Sequence, residues 1–146
     1  MTQLEINAAT LDETKAAALQ IVTQLKFPMC VYLRGEMGAG KTTLCKSLIN
    51  AFGYVGEVTS PTYNLIHEYP VAHGVIYHMD LYRLEDVDEL EYLALDDLWS
   101  ENSIFLIEWA ERAETFLQAA DAEISIAKSS DQSSDNRQIY FKHMRS

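Results

Sequence analysis

Gly35-Glu36-Met37-Gly38-Ala39-Gly40-Lys41-Thr42 has the residue types and spacing needed to hold a chain of phosphates. The run fits G-x-x-x-x-G-K-[ST]. Gly35 and Gly40 let the backbone turn tightly and come close to phosphate oxygens. Backbone N–H groups from Gly38 to Thr42 can then point inward, and a helix opening at Lys41 adds its positive end. Lys41 would reach the outer phosphates, and the Thr42 hydroxyl would ligand Mg²⁺. Thr43 is a neighbouring hydroxyl that could also face the nucleotide. With Glu36, Met37 and Ala39 these residues form the candidate nucleotide-binding set.

A magnesium ion held at such a loop needs a carboxylate across from it. The apolar run Ile104-Phe105-Leu106-Ile107 ends in Glu108, and Val75 to Met79 ends in Asp80. Two such carboxylates allow a division of labour, one at the metal and one orienting the attacking water. Together with Lys41 they are the candidate catalytic residues. Residue chemistry alone does not say which carboxylate does which. His78, Asp80 and Tyr82 share one face if the strand continues that far. Arg83 joins them, either to stabilise transferred phosphate charge or to make a surface ion pair. No His or Cys motif supports a zinc site. In Ser60-Pro61-Thr62, Thr62 or Thr59 is placed to sense a terminal phosphate. Trp109, directly after Glu108, should lie near the nucleotide.

These residues need a scaffold. Met29 to Leu33 is an apolar run of strand length, as expected of a strand buried on both faces. The glycine loop follows, then a helix over about 41–52 with Leu44, Leu48, Ile49 and Phe52 on its apolar face and Gly53 at its end. Thr10-Leu11-Asp12-Glu13 matches a capping box. The helix it opens should run to about Leu25, burying Ala18, Leu19, Val22 and Leu25. Leu4–Ile6, Tyr63–Tyr69, Val75–Leu81 and Ile104–Ile107 read as strands, with a turn over Pro70–Gly74. Glu85 to Trp99 suggests one or two helices, and a further short helix is expected near Ala110–Leu117. Ile124–Ala127 and Gln138–Phe141 read as a terminal hairpin around an exposed loop, 128–137. The pattern predicts one α/β domain over 1–146. It is a three-layer fold of the P-loop NTPase kind, with a mixed, mostly parallel central sheet.

Composition narrows the function. Eleven basic residues stand against twenty-two acidic ones, a formal charge of -11. That balance argues against strong direct binding to nucleic acid. No apolar run approaches the ~18–20 residues of a membrane span, and the first residues lack a basic head and apolar block. Cys30 and Cys45, the only cysteines, read as buried reduced thiols, which points to a cytoplasmic protein. A small-molecule kinase would need an arginine-bearing lid. Arg34, Arg83, Arg112, Arg137 and Arg145 are not clustered, and residues 85–99 are too acidic for one. A non-enzymatic GTPase-like switch would need a guanine-reading N-K-x-D, which is absent, so ATP is favoured.

Four stretches together resemble the bacterial TsaE (YjeE) family: Gly-Glu-Met-Gly-Ala-Gly-Lys-Thr-Thr at 35–43, Ser-Pro-Thr-Tyr at 60–63, His-Met-Asp-Leu-Tyr-Arg at 78–83 and Ile-Glu-Trp at 107–109. The likeness spans about residues 10–127. It implies a small ATPase needed to make threonylcarbamoyladenosine at position 37 of tRNAs that read ANN codons. Such a subunit acts with a TsaD–TsaB heterodimer, while TsaC supplies threonylcarbamoyl-adenylate. It does not itself transfer the threonylcarbamoyl group. The resemblance gives Lys41 to phosphate, Thr42 and Glu108 to Mg²⁺, Asp80 to the acidic strand end and Thr62 to a switch-like loop. No arginine finger is identifiable. A partner that completes the site would make hydrolysis by the isolated protein weak.

Overall fold

Met29–Arg34 and Ser103–Glu108, two almost wholly apolar runs, lie side by side in parallel at the centre of a seven-stranded sheet. The computed structural model describes residues 3–59, 61, 65–86, 88–92, 94–129 and 136–144. In chain order the elements are β1 (Gln3–Ala8), α1 (Leu11–Val22), β2 (Met29–Arg34), α2 (Lys41–Ala51), β3 (Ile66–Val71) and β4 (Gly74–Asp80). They continue with α3 (Asp88–Tyr92), α4 (Leu95–Leu98), β5 (Ser103–Glu108), β6 (Ala122–Lys128) and β7 (Arg137–His143). The strand order is β1-β7-β6-β2-β5-β4-β3. The central strands β6-β2-β5-β4 are parallel, and antiparallel pairs flank them on both sides. The sheet is mixed as expected but not mostly parallel: three of its six strand pairings are antiparallel, because hairpins close both sides of a parallel middle.

Strand alternation sorts the core into two layers. Val31, Leu33, Ile104, Leu106 and Ile76 face α1 and α2, where Ala18, Ile21, Leu44 and Leu48 are buried against them. Each fully buried leucine there contributes about 1.5–3 kcal/mol of burial free energy. Cys30, Tyr32, Phe105, Ile107, Tyr77 and Met79 face the other way, toward Leu84, Leu90 and Ala110. Among the described residues only short helices cover that second face. Both cysteines are free and buried.

α1 starts as its sequence dictates. The Thr10 hydroxyl accepts from the Glu13 N–H at 3.1 Å, and the Glu13 carboxylate accepts from the Ala9 N–H at 3.1 Å. Several expectations need correction. Leu19 is 58% exposed, because the buried stripe of α1 runs through Thr14, Ala17, Ala18 and Ile21. The helix ends at Val22, and Leu25 is buried beyond it. The β3–β4 turn is confined to Ala72 and His73, since Val71 pairs with Gly74. Pro70 thus lies inside β3, which an edge strand tolerates. The helix expected after Trp109 shrinks to a single 3₁₀ turn, Ala110–Arg112, followed by further turns through Leu117. Thr62, Ser60 and most of the 128–137 loop lie outside the described residues. Among the described residues, no helix is long and apolar enough to cross a membrane.

Candidate functional site

The three parallel strands β2, β5 and β4 end in register. Leu33 pairs with Glu108, and Glu108 pairs with Asp80. The glycine loop leaves β2 at this same edge and feeds α2. Three elements thereby bring the loop and both carboxylates to one end of the sheet, where ligands of open α/β sheets bind. A cavity of about 490 Å³ opens there. Its lining includes Gly38, Lys41, Thr42, Asp80, Glu108 and Trp109.

The loop is shaped by glycine at two decisive positions. Gly40 has φ 108° and occupies the N-cap of α2, where it offers no side chain to cap the first-turn N–H groups. Those donors stay directed outward, the arrangement that binds anions. Gly35 passes so close to β6 that a Cβ would fall 2.5 Å from the Ile126 carbonyl oxygen.

Lys41 is buried, and its ammonium lies 3.5 Å from the centre of the Trp109 ring. Burial lowers its pKa, opposed by the charges of Glu108, Glu111 and Asp80. A poorly hydrated cation in this state gains more from an incoming anion than an exposed lysine does. Trp109 itself has φ 60° and ψ 39°, a left-handed conformation that costs a non-glycine residue about 1–2 kcal/mol. Such strain concentrates at functional sites. It turns the chain away from β5 and sets the indole beside the cavity, where Tyr82 packs on it at 5.0 Å.

Glu108 is the most constrained acid of the site, 1% exposed. The Thr42 hydroxyl donates to its Oε1 at 3.2 Å, and His78 Nε2–H donates to its Oε2 at 2.6 Å. His78 is wholly buried, and its Nδ1 has no partner among the described residues. Thr42 Oγ1 and Glu108 Oε1 are therefore two hard oxygens separated by about one edge of a Mg²⁺ octahedron, ~3 Å. They fit that ion. The Cys45 sulfur, with donor atoms of His78 and Glu108, falls in a group spanning 4.8 Å. Burial, reinforced by Glu108 and Asp80, raises the Cys45 thiol well above its ordinary pKa. A neutral thiol is inert packing there.

Asp80 differs from Glu108. It is only partly buried, and its Oδ1 accepts from the Tyr82 N–H at 3.0 Å. Burial raises its pKa above 3.8; the Tyr82 N–H opposes this, while the Glu108 charge adds to it.

A family model described as "Threonylcarbamoyl adenosine biosynthesis protein TsaE" matches residues 8–139. The chain belongs to the TsaE family. The protein named tRNA threonylcarbamoyladenosine biosynthesis protein TsaE from Haemophilus influenzae is 43% identical over 112 residues, 77% of this chain and 71% of that relative. The protein of the same name from Bacillus subtilis is 37% identical over 141 residues, 97% of this chain and 86% of the relative. A crystal structure of Bacillus subtilis YdiB superposes with a TM-score of 0.73 at 30% identity, covering 99% of this chain and 87% of that one.

In this TsaE-family chain most residues singled out from the sequence converge. Met37, Gly38, Gly40, Lys41, Thr42 and Thr43 line the main cavity, with Asp80 and Glu108 opposite. Glu36 and Ala39 do not line it. The Glu36 carbonyl accepts from the Ala39 N–H at 3.0 Å, closing the loop's turn, and both residues border a separate groove toward Ser125, while Ala39 also lines a smaller cavity beside the start of α1. Thr59 is also absent from the cavity, because Tyr69 holds its backbone against β3. Tyr82 does not continue the β4 face; the strand ends at Asp80, and the chain turns there. Two features had no clear sequence signal, the hydrogen bond from His78 to Glu108 and the Lys41–Trp109 contact. A second cavity of about 280 Å³ lies between the glycine loop and the start of α1, where Thr10 and Leu11 line it; the segment 10–13 is readable from sequence as a border for the base, although helix capping explains it as well.

Proposed function

We propose that this chain is the Mg²⁺-dependent ATPase subunit of tRNA threonylcarbamoyladenosine synthesis, acting on tRNAs that read ANN codons together with a TsaD–TsaB heterodimer. The observation that carries this reading is the meeting of Lys41, Thr42 and Glu108 at the uncapped start of α2, in one cavity. Family membership supplies the pathway, through the names its relatives bear.

In this reading the triphosphate lies over residues 37–43. Backbone N–H groups at the start of α2 and the Lys41 ammonium bind its oxygens. The nucleoside end enters the 280 Å³ cavity, whose walls include Ala8, Leu11 and Ile126. Gly40 and Thr43 line both cavities and mark the passage between them. Thr42 and Glu108 would hold Mg²⁺, which supplies charge neutralisation at the outer phosphates. His78 keeps the Glu108 carboxylate turned toward Thr42. Asp80, with its raised pKa and freer side chain, is the better group to orient a water and accept its proton. The net charge of -11 leaves tRNA to the partner proteins.

The test is steady-state ATP hydrolysis, alone and with purified TsaD–TsaB. Slow turnover by the isolated chain, strong stimulation by the heterodimer and loss of both in Lys41→Ala are expected. Lys41→Ala should also weaken ATP binding by tenfold or more. Unchanged affinity in that variant would remove the glycine loop from the site. Absence of both stimulation and complex would remove the partner assignment.

A further inference from the structure

The described arginines differ sharply in what surrounds them. Arg34 binds Glu123 at 2.6 Å and Glu114 at 2.7 Å, with Glu111 at 3.8 Å. Arg112 covers the Tyr82 ring at 5.4 Å, and Arg137 donates to the Ala39 carbonyl at 3.0 Å. Arg83 takes part in no hydrogen bond or ion pair among the described residues. It lines the same cavity as Lys41, Thr42, Asp80 and Glu108. The acidic residues that follow it, Glu85 and Asp86, do not pair with it.

Its placement is fixed by the turn that carries it. The Leu81 N–H donates to the Glu108 carbonyl at 3.1 Å, and the Tyr82 N–H to Asp80 Oδ1 at 3.0 Å. The Leu84 N–H closes on the Leu81 carbonyl at 3.0 Å, and both leucines are buried. Tyr82 is held between Trp109 and Arg112. Residue 83 is thereby presented at the cavity wall by a turn hydrogen-bonded to both acidic strand ends. Electrostatics gives this cation a purpose. The wall carries two carboxylates against the single ammonium of Lys41, and a triphosphate adds further negative charge.

Although no arginine finger is identifiable from sequence, we propose from its place in the cavity wall that Arg83 is a phosphate-binding catalytic residue, an arginine supplied by the chain itself to the terminal phosphoryl group during hydrolysis. This inference rests on the triphosphate reading above. In the step, a water oxygen forms a bond to the terminal phosphorus as the bond from that phosphorus to the bridging oxygen breaks. The bonding pair leaves with the ADP oxygen, and the water's proton passes to Asp80. Charge grows on the bridging and equatorial oxygens, where a planar guanidinium can donate two hydrogen bonds.

The experiment compares wild type, Arg83→Ala and Arg83→Lys, each confirmed folded by circular dichroism. It measures ADP affinity, ATP turnover, and binding of ADP with aluminium fluoride, a mimic of the phosphoryl group in flight. Arg83→Ala should keep ADP affinity within about threefold. It should lose on the order of a hundredfold or more in turnover and the extra affinity that aluminium fluoride confers. Arg83→Lys should recover only part, because an ammonium lacks the planar fork. Wild-type turnover and an intact aluminium fluoride complex in Arg83→Ala would overturn the inference and leave the triphosphate site standing. Failure of the wild type to bind ADP or ATP would overturn both.

Discussion

The bond from His78 to Glu108 makes a prediction that depends on burial and distance alone. His78 is 0% exposed and Glu108 is 1% exposed, and their atoms meet at 2.6 Å. Replacing His78 with Leu puts an apolar side chain of similar size in its place and removes the donor. The Glu108 carboxylate would then keep only the Thr42 hydroxyl at 3.2 Å, with the Lys41 charge nearby. Taking a donor away from a buried carboxylate costs about 3 kcal/mol or more, mostly through the desolvated group left behind. The remaining Thr42 contact argues for the lower end, about 3 kcal/mol. For a chain of this length that is a fall of roughly 10 °C in Tm. Removing both groups, as His78→Leu with Glu108→Leu, should return at least half of the loss, because no carboxylate is then stranded. Urea unfolding of wild type, both single variants and the double variant measures the coupling directly. A His78→Leu cost below about 1 kcal/mol, or a double variant as unstable as the sum of the singles, would refute the claim that His78 holds this carboxylate.

Asp80 gives a prediction of opposite sign. Its folded pKa is raised above 3.8, chiefly by burial, so the native chain holds that proton more tightly than the unfolded chain does. Its contribution is therefore lost as pH rises from about 3.8 through the folded value. Asp80→Asn, which can still accept from the Tyr82 N–H, should be more stable than wild type at pH 7. The gap should narrow as pH is lowered toward 3.8, and urea midpoints between pH 4 and 8 check this. Gly35→Ala should cost about 1–3 kcal/mol, because its Cβ meets the Ile126 carbonyl and neither backbone can yield cheaply. Gly53→Ala, at φ 102° with nothing within 4 Å, should cost only backbone strain of about 1 kcal/mol. Equal losses in the two glycine variants, measured by denaturant unfolding, would count against the close approach of the loop to β6.

Much of the fold was legible because single physical signals dominated locally. The apolar runs at 29–33 and 104–107 fit buried strands, and Thr10–Glu13 matches a box that opens a helix. Legibility failed where two patterns competed. In α1 the alanines Ala17 and Ala18 supply the buried stripe, and Leu19 is turned to solvent although it is the larger apolar residue. Hydrophobicity alone ranks Leu19 above Ala17; the 3.6-residue period anchored on Ile21 ranks them the other way. After Trp109 the helical composition of 110–117 was overruled by a backbone that leaves β5 in the left-handed region.

The site divides along the same line. The candidates tied to a strand end or a helix start, Lys41, Thr42, Asp80 and Glu108, line one cavity. Glu108 and Asp80 could be read as candidates because each ends an apolar run, 104–107 and 75–79. Their separate characters could not, because each depends on a neighbour distant in sequence. Glu108 faces α2 and lies beneath Thr42, with His78 at its side, so both of its oxygens are engaged. Asp80 lies one strand further out, where the turn through Tyr82 leaves it partly exposed and less fixed. A carboxylate locked by two donors suits an ion that must be held still. A carboxyl group with a raised pKa and room to move suits a water that must be turned and deprotonated. The difference between the two acids arises from one strand's displacement across the sheet, which no local stretch of sequence encodes.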